Sequence, residues 1–117
     1  ADSISVSLPR DGAAAVAAVR ESKGFAVTVP DRSLFPAMRA LARDACVFAE
    51  PAAAASLAGL EAAVEAGKVS AKDTAVVLVT GNGLKDTASA LKAAGRPLRV
   101  EPDLKSLSQL VRRCRLT

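Results

Sequence analysis

Polar and apolar residues alternate at the start of the chain, in Ser3-Ile4-Ser5-Val6-Ser7-Leu8. That period of two fits a short half-buried strand or an extended lead-in, ended by Pro9. Asp11 then stands as an N-cap before an Ala/Val-rich segment that predicts a helix to about Lys23, with Gly24 as the residue just past its end. Phe25-Ala26-Val27-Thr28-Val29 reads as a strand closed by Pro30, and Asp31 or Ser33 caps a second helix. Pro36 favours Ser33, because that cap leaves the proline in the first turn, where no intrahelical N–H is required. Leu34, Phe35, Met38, Leu41 and Ala42 recur at helical spacing and predict a core-facing stripe.

Val47-Phe48-Ala49 is a strand stub running straight into Glu50-Pro51, and Pro51 suits the first position of a third helix. The helix is almost free of polar residues until Glu61 and Glu65, which mark a solvent face before Gly67 stops it. Its first half is therefore expected to be buried or to lie against something. Thr74 to Thr80 encloses an unbroken apolar run, the pattern of a central parallel strand covered on both faces, and Gly81-Asn82-Gly83 follows at once. Leu84 to Ala94 has helical character, Gly95-Arg96-Pro97 is a turn, and Leu98-Arg99-Val100 suggests an edge strand. Asp103 caps a closing helix with Leu104, Leu107, Leu110 and Val111 on one face. Strands alternating with helices predict an α/β fold, an open and mainly parallel sheet with flanking helices. Residues 1–95 would form the α/β core segment and residues 96–117 a basic C-terminal turn and helix.

Composition narrows the chemistry. A chain of 117 residues fits one compact domain without disulfides or metal. It has no His, which removes Ser-His-Asp and Cys-His catalysis and nearly all zinc sites. With no Trp or Tyr, and Phe25, Phe35 and Phe48 as its aromatics, it offers little surface for stacking nucleobases. The net charge of +4 resides in the tail: residues 1–95 hold ten basic and ten acidic side chains, residues 96–117 six and two. Arg112, Arg113 and Arg115 are explained by a solvated helix end, so no nucleic-acid partner is expected. Cys46 and Cys114 lie in no ligand spacing and read as idle thiols in a reducing compartment. No stretch is long and apolar enough for a membrane span. The expectation is a cytoplasmic protein without membrane contact.

Two places combine a helix start or glycine turn with the carboxyl end of a strand, where open α/β sheets bind ligands. At Glu50-Pro51-Ala52-Ala53 the lack of bulk permits close approach of a ligand or of another backbone, and the helix dipole stabilises the Glu50 carboxylate. Equally, Glu50 closes a helix end and nothing more. Thr80-Gly81-Asn82-Gly83 can present backbone N–H groups to an anion or let a cofactor ring lie against the main chain, or it is simply a turn. It lacks the third glycine of a dinucleotide fingerprint and the Gly-Lys-Ser/Thr ending of a P-loop.

Phe48-Ala49-Glu50-Pro51 through Leu60, followed about twenty residues later by Val77 through Asp86, with its Thr-Gly-Asn-Gly-Leu-Lys-Asp run, resembles the carboxy-terminal third of the threonine synthase family. Ala1 to Val6 and Arg20-Glu21-Ser22 fit as well. The resemblance implies a tryptophan synthase β-like fold (pyridoxal phosphate fold type II) and conversion of O-phospho-L-homoserine and water to L-threonine and phosphate. It also implies that Thr80 hydrogen-bonds the pyridine nitrogen of pyridoxal phosphate. Gly81 would let the backbone approach the ring, and Glu50 would lie near the cofactor as a wall or a group behind it. Asn82 stands where many relatives have His.

The family's Schiff-base lysine has a Ser-x-Lys context that none of Lys23, Lys68, Lys72, Lys85, Lys92 and Lys105 shares. The resemblance therefore implies a fragment with no catalytic residue and no metal site, inactive alone, missing an N-terminal part of its catalytic domain and homodimeric when full length. Two alternatives stand beside it: a fragment of a threonine dehydratase-like enzyme, and a non-catalytic regulatory or assembly module that kept the fold.

Overall fold

Pro51 opens helix α3 (Pro51–Glu65) at its first position, with Glu50 as N-cap in extended conformation. The proline's missing N–H costs nothing there, since the first turn has no intrahelical acceptor for it. At the other end Gly67 takes a positive φ of 67°. Its N–H donates to the Val64 carbonyl at 2.9 Å and that of Lys68 to the Ala63 carbonyl at 2.9 Å. This paired closure satisfies carbonyls the helix would otherwise leave open. Both ends lie where the sequence places them.

In this computed structural model, which describes residues 1–114, α3 packs on helix α2 (Asp31–Ala45). Leu34, Ala37, Met38 and Leu41 of α2 are buried against Ala53, Ala54 and Ala58 of α3, and Ala49 and Ala93 complete the cluster. The expected α2 stripe is corrected at two positions. Ala37 is buried and Ala42 exposed, because the contact follows residues 34, 37, 38 and 41 down one face. The cap is corrected as well: the helix starts at Asp31, with Pro30 rather than Ser33 as N-cap, so Pro36 lies in its second turn. Arg32, whose carbonyl loses the bond Pro36 cannot donate, is exposed and can turn that carbonyl to water.

Helix α1 (Gly12–Glu21) has no buried residue. Lys23, not Gly24, takes the left-handed position past its end, at φ 55°. The Gly24 N–H then reaches the Val19 carbonyl at 2.8 Å, so glycine follows the reversal instead of making it. Helix α4 (Thr87–Ala94) packs on α2 and is preceded by a 3₁₀ turn over Gly83–Asp86. Helix α5 (Leu104–Cys114) buries Leu110 but leaves Leu104 and Leu107 exposed. Arg115, counted in the sequence with the basic end of that helix, lies outside the described residues.

The expected parallel sheet is absent among the described residues. Ile4 belongs to a 3₁₀ turn, and segments 25–29, 74–80 and 98–100 are unpaired. Among the described residues a single antiparallel bridge joins Ala49 and Asn82. Apolar patterning reports which side chains need cover, whereas a strand also needs a neighbour for its N–H and C=O groups. Segment 74–80 has no such neighbour and is covered on one face only: Val77 and Val79 are half-buried while Val76 and Leu78 are 84% and 71% exposed.

The single compact domain suggested by length is corrected for the same reason. The radius of gyration is 18.7 Å, against about 13 Å for a compact chain of this length. The accessible surface is 9465 Å², against roughly 5,900 Å² for a folded monomer of this mass. Among the described residues no helix is long and apolar enough to cross a membrane.

Candidate functional site

The Ala49–Asn82 bridge brings the two sequence motifs together. Phe48-Ala49-Glu50 runs antiparallel to Gly81-Asn82-Gly83: the Glu50 N–H donates to the Gly81 carbonyl at 3.0 Å and the Gly83 N–H to the Phe48 carbonyl at 2.9 Å. The first motif continues into α3 through the Glu50 carbonyl, which accepts from the Ala54 N–H at 2.9 Å. The second continues into the 3₁₀ turn because Asn82 Oδ1 accepts from the Leu84 N–H at 2.9 Å, a local bond asparagine makes readily.

Both glycines are required by what lies over them. A Cβ on Gly81 would stand 2.8 Å from Glu50 Cγ and overlap the carboxylate beyond it. One on Gly83 would stand 2.7 Å from Phe48 Cδ2 and overlap the ring edge. These glycines permit close approach; neither has a positive φ.

Glu50 is the buried charged residue of the described chain, at 5% exposure. Its Oε1 accepts from Lys85 Nζ at 3.2 Å, and Lys85 itself reaches solvent. The N-terminus of α3 adds a favourable dipole for the carboxylate. Thr80, next to Gly81, is exposed, and its hydroxyl makes no hydrogen bond to the described residues. The structure thus gathers Glu50, Gly81 and Thr80 at one junction. It adds Lys85 and Phe48, which the sequence reading gave no role. Lys85 and Glu50 are 35 residues apart, and only the fold could reveal their pairing. Among the described residues no group of three or more potential ligands could hold a metal ion.

Asp86 anchors the far side of the junction by capping α4, its Oδ1 accepting from the Ser89 N–H at 2.9 Å. The Ser89 backbone bond, then its side-chain bond, hold the Asp86 carboxyl below the usual carboxylate range, with Lys92 helping through its charge. Hydrogen bonds from Ser106 do the same for Asp103 at the start of α5. A carboxyl lowered in the folded state contributes its full stabilisation above the unfolded value of about 3.9 and loses it as pH falls through the lower folded value. In an acid titration followed by amide NMR, the Ser89 and Ser106 N–H resonances should therefore shift with midpoints below about 3.9. Midpoints at or above that value would show that neither cap is formed.

Comparison with known proteins gives the junction its context. Residues 1–81 match the family described as pyridoxal-phosphate dependent enzyme. The chain is similar to the threonine synthase of Methanocaldococcus jannaschii, 34% identical over 112 residues that make up 96% of this chain and 28% of that protein. It is 42% identical over 92 residues to the threonine synthase of Mycobacterium leprae, covering 79% of this chain and 26% of the relative. With that of Mycobacterium bovis it shares 41% identity over 104 residues, 87% of this chain and 29% of the relative. The chain thus spans less than a third of the length of these relatives. The family match runs through α1, α2, α3 and the Thr80-Gly81 end of the junction, and this chain belongs to the pyridoxal-phosphate dependent enzymes.

Proposed function

We propose that this chain is the carboxy-terminal part of a threonine synthase and supplies the ring-nitrogen side of its cofactor pocket. The enzyme would convert O-phospho-L-homoserine and water to L-threonine and phosphate. The observation that carries the reading is the junction itself, where the Glu50-Pro51 and Thr80-Gly81-Asn82-Gly83 segments are bonded backbone to backbone.

The residues present suit pyridoxal phosphate on chemical grounds. Thr80 offers a neutral, uncommitted hydroxyl, which can donate to an unprotonated pyridine nitrogen, whereas a carboxylate there would hold that nitrogen protonated. Gly81 keeps the main chain beside Thr80 free of bulk. Glu50 is buried and paired, so it serves as a wall rather than as a competing partner for the ring. When bound, the cofactor supplies an electron sink for carbanion chemistry at the substrate. Thr80 would orient the ring and set the proton state at its nitrogen; Glu50 and α3 would keep the turn in place and exclude water behind it.

The remaining parts of such a site, a lysine in Ser-x-Lys context and a phosphate-binding loop, would come from further polypeptide. The exposed apolar side chains of α1 and of segment 74–80 support this: they need cover, and segment 74–80 needs strand neighbours, which would complete the open parallel sheet of a tryptophan synthase β-like fold. A cytoplasmic homodimer is the proposed state of the whole enzyme.

The test is an assay of L-threonine formation from O-phospho-L-homoserine. The 117-residue chain alone should be inactive and the full-length polypeptide active. Product from the chain alone would overturn the fragment reading. A full-length protein that consumes threonine and ignores phosphohomoserine would place it with the threonine dehydratases.

A further inference from the structure

We propose that Lys85 is a positioning residue of this pocket: its ion pair with Glu50 keeps the wall behind Thr80 electrically neutral and holds the Thr80-Gly81 turn on the start of α3. The inference rests on the reading of Thr80 as the partner of the ring nitrogen.

The Glu50 side chain is 6% exposed, so its carboxylate has almost no water to solvate it. A buried carboxylate without a counter-charge is strongly unfavourable and takes up a proton at a pH where an exposed one would not. Lys85 Nζ, at 3.2 Å from Oε1, supplies the counter-charge, and with the lysine side chain 60% exposed its ammonium keeps much of its own hydration. The cost of burial thus falls on one partner only. The carboxylate lies directly over Gly81, one peptide from Thr80. An unpaired anion there would draw a proton toward a ring nitrogen held by Thr80, and a neutral ion pair would not.

No other described charge takes over this task. On α2, Arg39 donates to the Ala93 carbonyl at 3.2 Å, and Arg43 is paired with Asp44. Asp86 caps α4 with Lys92 acting on it, and Glu61 and Glu65 lie exposed toward the other end of α3. Lys85 is itself placed by the chain: Asn82 starts the 3₁₀ turn that carries it and Asp86 ends that turn.

The experiment uses the full-length holoenzyme and compares the visible absorption of the bound cofactor, and its retention on dialysis, at one fixed pH. The native protein and Lys85→Arg should give the same spectrum. Lys85→Met should give a shifted spectrum, and adding Glu50→Gln should return it to the native one, since the unpaired carboxyl has been removed. Should Lys85→Met load cofactor too poorly to measure, the double variant decides: restored loading supports the proposal and continued failure overturns it. A Lys85→Met spectrum identical to the native one also overturns it, as does a shift that survives in Lys85→Met/Glu50→Gln. If Thr80→Ala changes neither the spectrum nor turnover, the underlying reading of Thr80 has failed. If Thr80→Ala acts while Lys85→Met does not, only the role of Lys85 has.

Discussion

Replacing Gly81 with alanine should lower the unfolding midpoint of the holoenzyme and weaken its hold on the cofactor. The added methyl group would enter the space of the Glu50 side chain, 2.8 Å from Cγ and closer still to the carboxylate. The carboxylate is the flexible end of that side chain and can swing away, but only by leaving Lys85 and its buried place at the head of α3. The alternative is to part the two segments, which breaks the backbone bond from Glu50 to Gly81. Overpacking of this kind costs roughly 1–3 kcal/mol. The cause can be isolated by repeating the substitution in a Glu50→Ala background, where the obstructing atoms are gone. Coupled neighbours depart from additivity by about 0.5–3 kcal/mol, so Gly81→Ala should cost distinctly less there. An equal cost in both backgrounds would mean that Glu50 is not what Gly81 makes room for.

Thr80→Ala should leave the cofactor bound and its absorption visible while turnover falls about 5- to 150-fold, the rate equivalent of roughly 1–3 kcal/mol for a ring acceptor left without its partner. The exposed side chain of Thr80 contributes little to packing, so stability should change little. Thr80→Ser keeps the hydroxyl and should retain most activity. Steady-state kinetics with absorbance spectra check both variants; native turnover in Thr80→Ala would remove the assignment of the ring-nitrogen contact.

The legible parts of this structure are those decided by neighbours in sequence. Pro51 and Gly67 bracket α3 because one lacks an N–H and the other tolerates a left-handed turn, and both facts are local. Locality also explains the near misses. Lys23 takes a left-handed conformation beside a glycine better suited to it, and α2 begins ahead of Ser33, placing Pro36 deeper in the helix than its chemistry favours. Strands are less legible, because an apolar run such as 74–80 states a demand for cover without naming what provides it. At the site, Thr80, Gly81 and Glu50 stand out through their helix-start and glycine-turn settings and through the family resemblance. Lys85 does not, since its meaning depends on a carboxylate 35 residues away.

The alanine face of α3 has a consequence for how this segment tolerates change. Ala54 is wholly enclosed, with Ala53 and Ala58 nearly so, and they meet the equally enclosed Ala37 of α2. Side chains that end at Cβ leave almost nothing to trim, so loss of bulk, the commonest route to a damaged core, is largely closed on the α3 side and falls instead on Leu34, Met38 and Leu41 of α2. What remains is enlargement, which would push α3 from α2 and tilt the helix whose first residues border Glu50. Variation along this face is thus constrained in one direction only, toward keeping the two helices as close as their backbones allow.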